Sequence, residues 1–132
     1  METNYLAFLP LVILPTVAGI FIWMFIRKDR RHAAEAGKTA LYTGSCGGIV
    51  GWLTYKGPFI RFAVYTEFLV VACDAVYYFP FGEIIQIERR NFLWRKGYRI
   101  HHRNPSYPQR IEIWPADGAA FEAAFAGNVA LV

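Results

Sequence analysis

The sequence predicts one membrane-crossing helix, then a small mainly β domain that ends in a short helix. Three observations carry that prediction. Residues 5–26 (YLAFLPLVILPTVAGIFIWMFI) contain no charged side chain. From Thr39 onward, short apolar runs are broken by glycine, proline and charge. Near the end, Phe121 and Phe125 stand four residues apart, which places them on one face of a helix.

Composition frames the rest. The chain has 132 residues, enough for one domain beside the apolar segment. It is 55% hydrophobic and 17% aromatic, and most of the rings lie beyond the first segment, as in a packed β-rich core. The net charge of +4 is modest for a nucleic-acid binder. Two cysteines, Cys46 and Cys73, are too few for a disulfide framework and are expected to pack as reduced thiols.

Residues 5–26 match the length of helix that spans a bilayer core of about 30 Å. Pro10 and Pro15 are tolerated in such a helix, with a kink expected near Pro15, and Tyr5 and Trp23 suit its two interfaces. The N-terminus before it has no Lys or Arg, and the apolar run exceeds that of a cleaved signal peptide. A retained anchor over residues 1–26 follows, with the lipid bilayer as the partner of residues 5–26. The cluster Arg27, Lys28, Arg30 and Arg31 comes directly after it, so the N-terminus is expected outside and the remaining domain in the cytoplasm. On an anionic leaflet these side chains also meet lipid head groups. Residues 27–38 read as a basic, Ala-rich linker that continues the helix for a turn or two and stops at Gly37.

The domain, residues 39–127, reads as short strands. Residues 59–65 partly alternate, and a tight reversal at Thr66-Glu67 leads into the buried run 68–73. Residues 76–79 form a strand stopped by Pro80. Over residues 84–90, Ile85 and Ile87 are expected on one face and Gln86 and Glu88 on the other. A turn at Lys96-Gly97 precedes residues 98–102, and a two-proline loop at 104–108 precedes 110–114, with Ile111 and Ile113 inward. Residues 41–46 and 49–55 supply one or two earlier strands. Asp117 caps the closing helix and Gly127 ends it, leaving 128–132 as a tail.

The order of these pieces resembles the pleckstrin-homology-like (PH-like) domains of the GRAM or bacterial kind. The resemblance rests on Phe68-Leu69-Val70-Val71, on Tyr78-Phe79-Pro80-Phe81-Gly82-Glu83-Ile84, on Gly97-Tyr98-Arg99-Ile100 and on the closing helix, across residues 38–127. It implies a partly open barrel of about six or seven antiparallel strands, closed by a C-terminal helix whose plug is Phe121 and Phe125. It also implies a bacterial inner-membrane protein. Members of this family often bind phosphoinositides or peptides. Their lipid signature is a basic first hairpin, where this chain offers only Lys56 and Arg61.

No catalytic, metal or cofactor motif appears. Adjacent His101 and His102 on a strand point to opposite faces, and His32 lies in the linker. Ser45-Cys46-Gly47-Gly48 reads as a turn. Asp74, Glu83, Glu88 and Glu112 are spread over different strands. The notable cluster is Arg89, Arg90, Arg95, Lys96, Arg99, Arg103 and Arg110, interleaved with Phe92, Trp94, Tyr98 and Tyr107. With a loop over 91–97, Trp94 is expected to dip into the head-group zone while Arg95 and Lys96 hold anionic lipid; in the other reading the whole patch, Arg99 included, docks an acidic surface of a partner protein. The plain alternative is a charged strand face with arginines stacked on rings. A short tether to the membrane argues against nucleic acid. The expected function is a non-catalytic, membrane-tethered binding or scaffolding module. The runner-up is an accessory subunit of a larger membrane complex, with Ala18 and Gly19 allowing close helix approach.

Overall fold

A computed structural model describes residues 7–45, 47–56, 59–92, 95–125 and 127–132; the side chains of Phe92 and Arg95 lie outside the description. Helix α1, Leu9–Arg27, has 19 residues and no buried side chain. It is long and apolar enough to cross a membrane. Pro10 falls in its first turn, where a missing N–H leaves no bond unmade, and the helix runs on through Pro15. Trp23 is exposed near its end, under the Arg27 guanidinium at 4.6 Å. Tyr5 lies outside the described residues.

The strands that follow are β1 (Tyr42–Gly44), β2 (Gly47–Val50), β3 (Leu53–Lys56), β4 (Arg61–Val64), β5 (Phe68–Ala72), β6 (Val76–Pro80), β7 (Ile84–Phe92), β8 (Arg95–His102) and β9 (Ile111–Ile113). Helix α2, Gly118–Phe125, closes the chain order. All pair antiparallel, in a four-stranded sheet ordered β1-β4-β5-β6 and a five-stranded sheet ordered β3-β2-β9-β8-β7. Residues 130–132 lie along the outer edge of β7, with amide bonds from Ile87 to Ala130 and from Arg89 to Val132.

The described residues thus form nine strands in two open sheets, where about six or seven strands in one partly open barrel were expected. The register explains the difference. Tyr42–Gly44 face Phe62–Val64 in one sheet, while Gly47–Val50 face Leu53–Lys56 in the other. β1 and β4 lie in the four-stranded sheet, and β2 and β3 in the five-stranded one. Gly48 of β2 is needed beside β9, because a Cβ there would strike the Glu112 carbonyl oxygen.

The core lies between the sheets. Phe62, Val64, Leu69, Val71 and Phe79 face Ile87, Tyr98, Ile100, Ile111 and Ile113. Each such side chain contributes about 1.5–3 kcal/mol on burial. Phe121 and Phe125 of α2 are completely buried, and Phe121 meets Tyr42, Phe62 and Tyr98 at 5.8, 6.2 and 4.7 Å. Phe121 therefore joins both sheets. The Asp117 carboxylate accepts from the Ala120 amide at 3.0 Å, and Gly127 has φ +81° just beyond the helix.

Three expectations are corrected. Ile85 is 48% exposed, because a bulge between Ile84 and Gln86 shifts the register and turns Ile84 inward with Ile87. Lys96 and Gly97 are strand residues, not a turn: β7 and β8 stay paired out to Phe92 and Arg95. The linker does not continue α1. Arg61 takes the carbonyls of Lys28 and Arg30, which a longer helix would need for its own next turn, and residues 33–35 form a separate 3-10 turn. Gly37, at φ +72°, ends that turn region.

Candidate functional site

The two sheets treat their outer faces differently. On the four-stranded sheet, Ala63, Tyr65, Phe68, Val70, Val76 and Tyr78 point outward and are apolar. Residues 32–40 lie over them as a strap. His32 stacks on Tyr78 at 4.4 Å, Ala34 and Ala40 pack against the layer, and the Lys38 ammonium sits 5.1 Å over Phe68. Small alanines let the backbone lie close to the sheet. The buried Glu35 carboxylate anchors the strap: it accepts from Arg61 at 3.0 and 3.2 Å, from the Tyr65 hydroxyl at 2.9 Å and from the His32 amide at 2.7 Å. Burial pushes the Glu35 carboxyl up, but these donors outweigh it and hold it below its ordinary value. Burial and the Glu35 charge push the Tyr65 hydroxyl up.

On the five-stranded sheet the outward residues are mostly polar. Ile49, Glu112, Arg99 and Glu88 stand opposite one another across β2, β9, β8 and β7. Above that row is a cavity of about 540 Å³, lined by residues that include Ile49, Arg90, Gly97, Arg110, Glu112 and Trp114. Its size is that of a pocket for a small ligand or a short peptide segment. Gly97 is required here: a Cβ would come within 2.9 Å of the Trp114 ring, which lies against this strand. Glu112 is largely buried at the base, 3.6 Å from Arg90 and 3.7 Å from Arg110. Both arginine side chains remain about half exposed, at 48% and 52%. The Arg99 Nε is buried and makes no hydrogen bond among the described residues. Beside this row, His101 bonds Glu88 at 2.9 Å, and that bond holds the Glu88 carboxyl below its ordinary value.

The residues singled out from sequence fall into separate groups. Arg27 donates to the Asp74 carbonyl at 2.9 Å, and Lys28 pairs with Asp29 at 3.1 Å while lying over Phe25. Arg30 and Arg31 are exposed. Trp94 lies outside the described residues, as does the Arg95 side chain. Lys96 is exposed on β8, and Arg99 belongs to the outward row. Arg89 is diverted from the basic face: it donates to Glu122 of α2 at 2.6 Å, and Glu122 also accepts from Tyr98. Arg89 and Tyr98 hold the Glu122 carboxyl low, while burial pushes the Tyr98 hydroxyl up to about 12. Arg61 is likewise spent within the fold, which leaves Lys56 alone as an exposed base in the first hairpin.

Other chemistry-bearing groups serve packing. His102 Nε2 meets the Pro108 carbonyl at 2.8 Å and its Nδ1 accepts from the Asn104 amide at 3.1 Å, so both ring nitrogens are engaged within the fold. Cys73 is buried, and burial raises its thiol to about 12. Cys46 lies outside the described residues. Among the described residues, no three His, Cys, Asp or Glu side chains gather as a metal site. Sequence reasoning missed Trp114, Ile49 and Glu112 as site residues; the signal available was the alternation of 110–114, which sends Arg110, Glu112 and Trp114 to one face.

No family model and no curated protein matches this chain.

Proposed function

We propose that this chain is a non-catalytic, membrane-tethered docking module whose PH-like domain receives an acidic segment of a partner protein on the outer face of its five-stranded sheet. The observation that carries this is the cavity of about 540 Å³, where half-exposed Arg90 and Arg110 flank Trp114 and Ile49. Arginine beside tryptophan is the pairing that concentrates binding energy at interfaces. An incoming carboxylate meets guanidinium groups that Glu112 holds only at 3.6–3.7 Å. Two antiparallel sheets packed face to face, with a C-terminal helix against both, support the PH-like reading. Helix α1 as a bilayer anchor, with the domain on the cytoplasmic side, rests on its length, its apolar surface and the basic residues after Ile26.

The test is a fluorescence-anisotropy titration of the full chain in neutral-lipid nanodiscs with a Glu-rich decapeptide and its Gln-rich counterpart. The acidic peptide binds saturably, and Arg90→Ala with Arg110→Ala weakens it about tenfold or more. Equal binding of both peptides, or of the wild type and the double variant, overturns the proposal.

A further inference from the structure

The β-domain does not hang from the end of α1; it leans against the side of it. Phe59, two residues before β4, packs its ring against Phe21 with centroids 5.4 Å apart. Met24 packs against the domain core, and Arg27 donates to the Asp74 carbonyl at the β5–β6 turn. Phe21, Met24 and Arg27 are spaced three apart, so one stripe of the helix makes all three contacts. Phe21 precedes Arg27 by six residues, which is about 9 Å along the helix axis.

That distance fixes a depth. With α1 across the membrane and Arg27 to Arg31 at the head groups, Phe21 lies below them, among the upper acyl chains. Phe59 lies beside it, partly buried, packed against the domain core on one side and against Phe21 on the other, with part of its surface still open. Apolar groups of surface-bound proteins sit about 5–10 Å into this boundary. On either side of Phe59, Lys56 is exposed and has a stem long enough to reach back to phosphate, while Arg61 is tied to Glu35 and to the carbonyls of Lys28 and Arg30.

We infer that Phe59 is a membrane wedge: the domain is seated in the leaflet it faces, with Phe59 in phospholipid acyl chains beside Phe21. The inference rests on α1 spanning the bilayer and is independent of the acidic-peptide site. A rigid seat follows from it. The domain is held at the helix by Phe59, at the β5–β6 turn by Arg27 and at the strap by Arg61, so it has a set orientation toward the membrane.

The native full chain suffices for the test. It is reconstituted in liposomes of phosphatidylcholine and phosphatidylglycerol, with a phospholipid carrying a diazirine high on its acyl chain. After illumination, denaturation and trypsin digestion, adducts are mapped by mass spectrometry. Cleavage after Lys56 and Arg61 releases residues 57–61, and cleavage after Lys38 and Lys56 releases residues 39–56, which carry Trp52. The expected result is lipid adducts on α1 and on Phe59, with none on Trp52, which is 87% exposed at the other end of the β2–β3 hairpin. Adducts on α1 without any on 57–61 overturn the wedge. Absence of adducts on α1 overturns the spanning reading, and the wedge with it.

Discussion

The two sheets share one core and differ in what lies on their backs. The four-stranded sheet is apolar on both faces: β5 is buried along its entire length, and the strap with Glu35 covers the outward side. The five-stranded sheet alternates, with Ile87, Ile100, Ile111 and Ile113 inward and Arg, Glu and Trp outward around an open cavity. A sheet covered on both faces leaves neither face open, which suits the role of mount in the proposed docking module. A sheet with one solvated polar face can bind something. Position along the chain fits this division, since the covered sheet carries the contacts to α1.

The largest way to break the comparison is to unpair the strap. Arg61→Met leaves the Glu35 carboxylate buried without its cation, at a cost of about 3–5 kcal/mol in the full chain. Replacing Glu35 by Met as well restores much of that stability, measured by denaturant unfolding in detergent. A cost below about 1 kcal/mol for Arg61→Met would make the strap an ordinary surface linker.

Phe121→Ala tests what the sheets have in common. Phe121 touches rings from both, so its loss costs about 3–5 kcal/mol and loosens both sheets together. Hydrogen exchange that rises in only one sheet would show that they are not a shared core.

Acid sharpens the same contrast. The folded-state carboxyl of Glu35 lies below its ordinary 4.5, so its contribution is present above that value. It is lost as pH falls through the folded-state value. The strap is expected to open below about pH 4.5, read as faster cleavage near residues 32–40 by an acid-active protease. Glu122 also loses its Arg89 and Tyr98 partners' support in this range, so Glu122→Gln is the control that isolates the strap.

How far the sequence discloses this contrast differs by region. The alternation of 110–114 and the pair Phe121 and Phe125 are read correctly, because period 2 and period 3.6 are local properties. Ile85 is misread because a bulge is a pairing event between strands, invisible in one of them. Gly97 looks like a turn residue but is glycine to admit the Trp114 ring, a contact with a strand distant in sequence. The strap looks like a helical linker because its anchor joins Glu35 to Arg61 and Tyr65, residues 26 and 30 positions away. The basic stretch from Arg89 to Arg110 looks like one patch, yet alternation sends Arg89 to Glu122 on one side and Arg90 to Glu112 on the other.

The smallest stability effect is expected on the open face. Arg90→Ala with Arg110→Ala changes unfolding free energy by no more than about 0.5 kcal/mol for each substitution, since both side chains are half exposed. A large loss would mean that these arginines hold the sheet together and are not available to a ligand.

The most direct test of the division between mount and binding face is amide NMR of the full chain in nanodiscs during titration with the Glu-rich decapeptide. Shifts are expected at Ile49, Gly97 and residues 110–114, with residues 32–40 unmoved. Shifts centred on the strap, or none that saturate, would contradict it.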